Sequence, residues 1–293
     1  MIGYFLRTAV ALVALGAAGA SMAAPPAVTP FKDVSRLVSI GGSITEIVYA
    51  LGEQDHLVAR DTTGTYPPEA TKLPDVGYMR ALSAEGVLAV NPSAILVVHG
   101  SGPADALALL EKAGMPYVEV PDNYSGQGIV DKVLTVGAAL GADAKAKALA
   151  DQLDGQLKSV GALTAQVATP KRVLFVLSVQ DGKLMASGTG TAADGIIHLA
   201  GAVNAAGTYP GYKLLNDEAI IAAAPDAVLL MDNAGDASAT GATVLANPGI
   251  ALTPAGQNKA VLHMDGSYLL GFGPRTPAAL LELVHQLYPG LKG

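Results

Sequence analysis

Two segments of this chain, one in each half, share a pattern of an acid, an apolar helix, a proline and an apolar strand. They read "AEGVLAVNPSAILVV" (84–98) and "DEAIIAAAPDAVLLM" (217–231), and in both the proline follows the glutamate, Glu85 or Glu218, by seven residues. A helix followed by a strand is the repeating unit of parallel α/β sheets, and its apolar side must pack against another layer. The repeat therefore predicts two α/β lobes that are built alike.

The rest of the first half alternates β-branched runs with helical patterns. In "SITEIVYALG" (43–52), Ser43 is followed three residues later by Glu46, which is the spacing of a capping box with Ser43 as the N-cap. Strands that alternate with helices favour a largely parallel sheet. The predicted strands are 36–42, 57–61, 94–100 and 117–120, and the predicted helices are 43–52 and 102–114.

The second half begins again with a strand pattern, "KRVLFVLSV" (171–179), and "TAADGIIHLAG" (191–201) repeats the polar start and closing glycine of the first helix. Between the halves, leucines and valines at helical spacing predict one long helix over 143–167. A helical hairpin broken near Gly155 or Gly161 is the alternative.

The predicted fold class is therefore α/β, with two Rossmann-like lobes joined by a single long helix. The predicted segments are an N-terminal lobe (24–140), an interlobe helix (141–170) and a C-terminal lobe (171–293).

The first 23 residues have the pattern of a signal peptide. Arg7 precedes an apolar run, and small residues follow it up to Ala23. An uncleaved membrane anchor is the alternative, although the run is shorter than the roughly 20 apolar residues that span a bilayer. We expect cleavage after Ala23, which removes one positive charge and leaves an exported, soluble protein of net charge −8 instead of −7.

Composition and motifs limit the classes of function. The chain has no cysteine, so it folds without disulfides and carries no cysteine for lipid attachment. Its negative net charge argues against nucleic acid or anionic lipid as the main partner. It contains no G-x-S-x-G, P-loop or H-E-x-x-H motif, and no two of its five histidines lie within ten residues of each other. The sequence gives no support for an enzyme.

Tyr78 and Arg80, in "GYMRALSAEG" (77–86), are candidate binding residues. Ligands of open α/β sheets bind beyond the carboxyl ends of the strands, and this segment connects two predicted strands. In an extended segment residues i and i+2 project to the same side, so Arg80 can reach the Tyr78 oxygen and stabilise a phenolate, which suits ferric iron. Ordinary surface packing of the pair is the alternative. His99, directly after the strand at 94–98, also lies at a cleft edge by the same rule.

The chain resembles the periplasmic haem-binding proteins of bacterial ABC haem importers, which share a structural class with cobalamin and ferric-siderophore binding proteins. The resemblance covers essentially the whole mature chain. It rests on "RLVSIGGSITEIVYALG", "YPPEATKLPDVGYMRALSAEGVLAVNPSAILV" and "LLGFGPRTPAALLELVHQLYP". Two segments resemble the haem-binding members in particular: "LPDVGYMRALSAEG", which is part of the second of these stretches, and "GTAADGIIHLAG" in the second half.

The resemblance implies that the transported ligand is haem b and that Tyr78 is the axial ligand of its ferric iron, supported by Arg80. Some members supply a histidine from the loop after the first strand of the second lobe. The corresponding segment here, "LSVQDGKLMASGTG" (177–190), has no histidine. A five-coordinate ferric site with Tyr78 alone is therefore expected.

Three further residues are candidates for contact with the haem. His99 is a sixth iron ligand or, alternatively, a polar cap on the end of a strand. Tyr212 repeats Tyr78 in the second lobe and is expected to line the haem face. Arg275, in the loop before the last helix, is expected either to meet a propionate or to be an ordinary surface arginine.

Glu85 and Glu218 match the family positions at which one glutamate on each lobe docks onto arginines of a dimeric permease. Their alternative role is that of helix N-terminal acids stabilised by the macrodipole. The expected partners are haem, an inner-membrane ABC permease dimer with its ATPase, and an outer-membrane haem receptor upstream. The protein is expected to be a periplasmic monomer that catalyses no reaction.

Other functions remain open from the sequence. Within the same class, cobalamin or a ferric siderophore is the alternative ligand. An exported metal-dependent or hydrolytic enzyme and an adhesion or interaction module are alternatives from other classes. The missing catalytic motifs and the two-lobe repeat count against these last two.

Overall fold

Two β-sheets follow each other along the chain in the computed structural model, which describes residues 28–232 and 239–291. The predicted signal peptide (1–23) lies outside the described residues. None of the helices in the two described ranges combines the length and apolar character needed to cross a bilayer.

The first sheet has four parallel strands in the order β2-β1-β3-β4. Its strands are β1 (Leu37–Ile40), β2 (Leu57–Arg60), β3 (Ala94–Val98) and β4 (Tyr117–Val120). The α-helices around it are α1 (Gly42–Ala50), α2 (Ala84–Leu88), α3 (Ala104–Lys112) and α4 (Gly126–Leu140), and single 3₁₀ segments occupy Gln54–His56 and Pro68–Lys72. Because all strands are parallel, the segments that follow them meet at one edge of the sheet, where ligands of such sheets bind.

The second sheet has six strands and mixed directions. Its strands are β5 (Arg172–Gln180), β6 (Lys183–Ser187), β7 (Val203–Asn204), β8 (Tyr212–Leu215), β9 (Ala227–Asp232) and β10 (Val261–Asp265). Strands β10, β9 and β5 are parallel, β7 pairs in parallel with the start of β5, and β6 and β8 are antiparallel additions on the other side. The prediction of a largely parallel sheet is therefore right for the first lobe and incomplete for the second.

The antiparallel addition also corrects the prediction of a loop over 177–190. Residues 172–187 form a hairpin, β5–β6, whose turn has Asp181 at φ 48° and Gly182 at φ 76°. Positive φ at both turn residues is the geometry that joins tightly paired strands, and Asp-Gly is a typical sequence for it. The Asp-Gly pair was the signal for this hairpin.

The helices of the second lobe are mostly short. They are α6 (Ala192–Leu199), α7 (Asp217–Ala223), α8 (Gly241–Leu245), α9 (Pro248–Ala251), α10 (Pro254–Gln257), α11 (Gly266–Leu270) and α12 (Thr276–Leu287). The repeat seen in the sequence is present in the structure, since α2 leads into β3 beside β1, and α7 leads into β9 beside β5, both in parallel.

A single continuous helix, α5 (Asp143–Thr164), connects the two lobes. It is unbroken at Gly155 and Gly161, so the alternative of a broken hairpin is wrong, and it ends three residues before the predicted end. It packs against α4 and α12, and its buried side chains belong to an apolar core that extends into both lobes. The two-lobed α/β fold with one connecting helix is thus confirmed, whereas the boundaries of the segments stay a prediction.

The start of α1 differs from the prediction. The helix begins at Gly42 with Gly41 as its N-cap, so Ser43 lies inside the helix and no capping box forms. Gly41 has φ 110°, and a Cβ there would lie 2.5 Å from Val98 Cγ1, so the chain can turn this tightly only with glycine. As a result, the side chain of Glu46 is free to point elsewhere, and it is buried at the contact between the lobes.

Candidate ligand-binding site

The segment that carries Tyr78 is held at the carboxyl edge of the first sheet by Asp61, the residue directly after β2. The buried carboxylate of Asp61 accepts hydrogen bonds from the backbone N–H groups of Gly41 (2.9 Å), Thr63 (3.1 Å) and Met79 (3.3 Å). Burial raises the pKa of Asp61, and these hydrogen bonds lower it by less. Asp61 therefore ties the ends of β1 and β2 to the residue next to Tyr78.

Tyr78 and Arg80 project together from this segment, as predicted, although Met79 and Arg80 lie in a turn and not in an extended segment. Met79 between them is buried, whereas Tyr78 is 42% exposed and Arg80 is also exposed. Nη1 of Arg80 donates a hydrogen bond of 2.7 Å to the hydroxyl oxygen of Tyr78. Partial burial lowers the pKa of Arg80, but its interactions with Tyr78, and to a lesser extent with Tyr124 and Tyr212, together outweigh this, so the pKa is raised. Arg80 therefore keeps its positive charge beside the Tyr78 oxygen.

Two more tyrosines lie within electrostatic reach of Arg80. One is Tyr124, which follows β4, and the other is Tyr212, at the start of β8 in the second lobe. Burial raises the pKa of Tyr124 to about 12, with the nearby Asp122 carboxylate adding to the effect. Tyr78 and Arg80 of the first lobe and Tyr212 of the second lobe therefore face a common space between the lobes.

Tyr212 differs from Tyr78 in the groups around its hydroxyl. Burial raises the pKa of Tyr212, and polar interactions with Ser187 and Thr191 lower it by less, although the residue as a whole is 41% exposed. The hydroxyl end is thus desolvated while part of the ring stays accessible. Arg80 donates a hydrogen bond to the Tyr78 oxygen itself, whereas its influence on Tyr212 is electrostatic only.

His99 lies at the carboxyl end of β3, as predicted, but its hydrogen-bond partner is a carboxylate. Its Nδ1 is 2.6 Å from Oε1 of Glu119, and its side chain is 69% exposed. An open pocket of about 410 Å³ is lined by His99, Glu119, Pro121, Asp122 and Asn123. Within the described ranges, no three histidine, aspartate or glutamate side chains are grouped so that they could hold a metal ion.

Arg275 makes contacts that the sequence did not reveal. Its Nη2 donates a hydrogen bond of 2.5 Å to Oε1 of Glu46 in the first lobe. The guanidinium lies 3.8 Å from the ring centroid of Tyr66 and 5.3 Å from that of Tyr268. Its charge is therefore already paired with Glu46, so it is not an ordinary surface arginine, whereas its contact with a propionate stays a prediction.

Glu85 and Glu218 occupy equivalent places on the two lobes. Each is exposed in the first turn of its helix, and the N-cap lies two residues before it: Ser83 for α2 and Asn216 for α7. Within the described parts of the chain, neither carboxylate forms an ion pair or a side-chain hydrogen bond. Both acids are thus available to a partner and are also placed to interact with the helix dipole.

Sequence reasoning missed four residues that shape this region: Asp61, Tyr124, Glu46 and Lys132. Asp61 and Tyr124 could have been found, because Asp61 is the last residue of the predicted strand 57–61 and Tyr124 follows the predicted strand 117–120. No sequence signal marks Glu46 and Lys132, since they meet Arg275 and the backbone oxygen of Phe272 from more than a hundred residues away.

Two α/β lobes on one connecting helix, with aromatic and cationic side chains in the space between them, define a two-lobed ligand-binding protein. The chain belongs to the periplasmic binding protein family, whose model matches residues 37–268.

Solved structures with the same fold include two that are similar over most of their length. One is "Periplasmic heme-binding protein BhuT in complex with two hemes", with 39% identity, 86% of this chain and 97% of that chain covered, and a TM-score of 0.82. The other is "Periplasmic heme-binding protein RhuT from Roseiflexus sp. RS-1 in apo form", with 37% identity, coverage of 87% and 98%, and a TM-score of 0.82.

Curated relatives belong to the same class. YvrC of Bacillus subtilis, an uncharacterized ABC transporter substrate-binding lipoprotein, is 29% identical over 265 residues, which are 89% of this chain and 82% of YvrC. The vitamin B12-binding protein of Yersinia pestis is 36% identical over 87 residues, which are 30% of this chain and 31% of that protein.

Proposed function

We propose that this protein is a periplasmic substrate-binding protein that takes ferric haem between its lobes and delivers it to an inner-membrane ABC permease. The observation that carries this proposal is the 2.7 Å hydrogen bond from Arg80 to the exposed hydroxyl of Tyr78 at the carboxyl edge of the first sheet. The similarity to BhuT and RhuT over most of the chain supports haem as the ligand.

The proposed chemistry uses Tyr78 as the ligand of ferric iron. An ionised phenol oxygen is a hard, negatively charged donor that suits ferric iron, and the guanidinium of Arg80 stabilises that charge. Tyr124 and Tyr212 have raised pKa values, so their phenols stay protonated at neutral pH and contact the macrocycle through their rings. A five-coordinate site is proposed, because His99 is bonded to Glu119 and residues 177–190 contain no histidine.

The proposal extends to processing and partners. Residues 1–23 are removed on export, and the mature protein is a soluble periplasmic monomer with lobes at 24–140 and 171–293 joined by 141–170. It carries haem b, catalyses no reaction, and receives haem that has entered through an outer-membrane receptor. Glu85 and Glu218 dock onto the permease dimer, whose ATPase drives uptake, and their equivalent exposed positions support this role.

The experiment that tests the proposal is a haemin titration of the mature protein and of Tyr78→Phe, followed by absorption spectroscopy. This substitution removes one oxygen atom and keeps the ring. We expect the wild type to show the charge-transfer band of a ferric phenolate and the variant to lose it, with affinity lower by about tenfold or more.

Tyr212→Phe is the matched control, because it removes the corresponding oxygen from the second lobe. It should retain the phenolate band. A band that disappears in Tyr212→Phe and persists in Tyr78→Phe would show that the iron ligand is in the second lobe and would contradict our assignment of Tyr78. A wild-type protein that does not bind haemin would contradict the proposed function itself.

Cobalamin is the second candidate ligand, favoured by the partial match to the vitamin B12-binding protein. Titration with cyanocobalamin under the same conditions separates the two. Because cobalamin carries its own lower ligand, Tyr78→Phe should leave cobalamin binding within twofold of the wild type. Tight cobalamin binding without haemin binding would establish this alternative.

A further inference from the structure

Arg275 links the two lobes through a contact with the first helix of the first lobe. It lies in the loop before α12, and its guanidinium is bonded to Glu46 on α1. Gly273 of the same loop packs on the first turn of α1, where a Cβ would lie 3.2 Å from Ser43 Cβ. The loop of the second lobe therefore packs against the helix that follows β1.

The positive charge of Arg275 is compensated before any ligand arrives. Glu46 is 7% exposed and lies beside a second buried cation, Lys132, which is bonded to Asp122 (2.6 Å) and to the backbone oxygen of Phe272 (3.0 Å). A ligand carboxylate that took Arg275 would leave the carboxylate of Glu46 buried without its hydrogen-bonded partner. Breaking a buried pair on one side is strongly unfavourable. Arg275 is thus a poor receptor for a propionate.

The same guanidinium holds an aromatic ring. Its central carbon lies 3.8 Å from the ring centroid of Tyr66, which is the distance of direct stacking, and Tyr66 is still 42% exposed. Tyr66 belongs to the segment between β2 and α2 that also carries Tyr78. A flat ring with one face fixed by a planar cation presents its remaining surface to a ligand at little cost in conformational entropy.

We propose that Arg275 is a positioning residue that, paired with Glu46, holds Tyr66 as an aromatic wall of the cleft for the apolar part of a macrocyclic ligand, so that the ligand's carboxylates lie elsewhere. This inference rests on the proposed function, since it concerns how the same cleft orients haem.

The first test compares haemin with haemin dimethyl ester, whose carboxylates are capped, in the wild type and in Arg275→Gln. Arg275→Gln should weaken the binding of both ligands to the same extent, so the ratio of their dissociation constants stays within twofold of the wild-type ratio. If Arg275 bound a propionate, the variant would lose affinity for haemin by about tenfold or more and keep its affinity for the dimethyl ester. The ratio of the two dissociation constants would then change by the same factor. That result would overturn the proposal.

The second test is a double-mutant cycle between Arg275 and Tyr66. Tyr66→Leu should weaken haemin binding about three- to tenfold in the wild type, and Tyr66→Phe, which keeps the ring, should weaken it less than Tyr66→Leu does. In the Arg275→Gln background, Tyr66→Leu should have less than half of its effect on the logarithm of the affinity, because the ring is no longer held. Fully additive effects, or no effect of Tyr66→Leu, would overturn the proposal.

Controls keep these tests interpretable. Arg36→Gln removes an exposed arginine that donates to the backbone oxygen of Asn91, and it should change neither affinity nor ratio. If circular dichroism shows that Arg275→Gln does not fold, Arg275→Lys replaces it, since a lysine keeps the charge without the planar stacking face. A protein that binds cobalamin instead of haemin would contradict the proposed function, and the cycle repeated with cobalamin would still test the coupling of Arg275 to Tyr66.

Discussion

At the scale of residues, the site depends on an alternation of side chains along one short segment. Met79 points into the core, so Tyr78 and Arg80 on either side of it point outward together. Gly77 has φ 100°, and the backbone oxygen of Tyr78 accepts a hydrogen bond of 2.7 Å from the N–H of Ala81, which makes the segment turn. These local features orient the phenol without help from the second lobe.

We predict that Arg80→Gln weakens haemin binding by about tenfold, because it removes the charged donor 2.7 Å from the Tyr78 oxygen. Arg80→Lys keeps the charge but not the fixed geometry of the guanidinium, so its haemin affinity should lie between those of Arg80→Gln and the wild type. Absorbance titration measures both. Equal affinity in Arg80→Gln and in the wild type would mean that Arg80 does not support the ligand.

At the scale of elements, α5 is continuous even though it contains two glycines. Both Gly155 and Gly161 are exposed, and a Cβ built on either would meet nothing within 4 Å. The opposite side of the helix carries the apolar contacts, including Leu153 and Val160, with α4 and α12. Packing on this side outweighs the poor helix propensity of the two exposed glycines.

We predict that Gly155→Ala raises the free energy of unfolding by about 0.5–1 kcal/mol, since alanine lowers the entropy of the unfolded chain and fits the helix. Urea unfolding measures the change. Gly137→Ala in α4 is the matched control: a Cβ there would lie 2.1 Å from Ala146 Cβ on α5, so this substitution should destabilise the protein. A destabilising Gly155→Ala would contradict the open environment of that residue.

The two short helices α2 and α7 give another prediction at this scale. Replacing both Glu85 and Glu218 with alanine should raise at least tenfold the concentration of haem-loaded protein that half-maximally stimulates the ATPase of the reconstituted permease. Haemin affinity should not change, because both acids lie in first turns on the outside of the lobes. Asp105→Ala, which removes an exposed acid from the first turn of α3, is the control and should have little effect. Unchanged stimulation by the double variant would rule out docking through these acids.

At the scale of the whole molecule, the lobes are joined by polar contacts as well as by α5. Lys132 is completely buried and connects Asp122 and Ser43 in the first lobe with the backbone oxygen of Phe272 in the second. The ion pair of Glu46 and Arg275 lies in the same region. Burial raises the pKa of Glu46 more than Arg275 and Lys132 lower it, so its ionised form is held at a cost in stability.

We predict a pH-dependent difference between the wild type and Glu46→Gln. The pKa of Glu46 is raised in the folded protein, so the folded state binds the proton more tightly than the unfolded state does. The stabilisation from this proton is therefore complete at a pH below the ordinary glutamate pKa of about 4.5, and it is lost as the pH rises through the folded-state pKa. Glu46→Gln cannot titrate, so its free energy of unfolding should rise relative to the wild type over this pH range, by about 1.4 kcal/mol for each unit of pKa shift. Urea unfolding between pH 4.5 and 7.5 measures this, and a difference that is constant or falls with pH would contradict it.

Much of the fold follows from the sequence, because local patterns determine helices, strands and their alternation. The repeat of Glu85 and Glu218 with their prolines predicted the equivalent units α2–β3 and α7–β9, and the Tyr78–Arg80 spacing predicted their shared direction. The start of α1 was misplaced because a tight contact with Val98, far along the chain, decides it.

The sequence by itself therefore determined the class of fold and the side chains that reach the cleft edge, since both depend on periodicity within short segments. Only the tertiary structure decided which polar groups pair across the two lobes. Arg275 and Glu46 are 229 residues apart in the chain, and nothing local marks them as partners. Their pairing arises because the folded lobes bring two desolvated charges together, and a buried charge is stable only beside an opposite one.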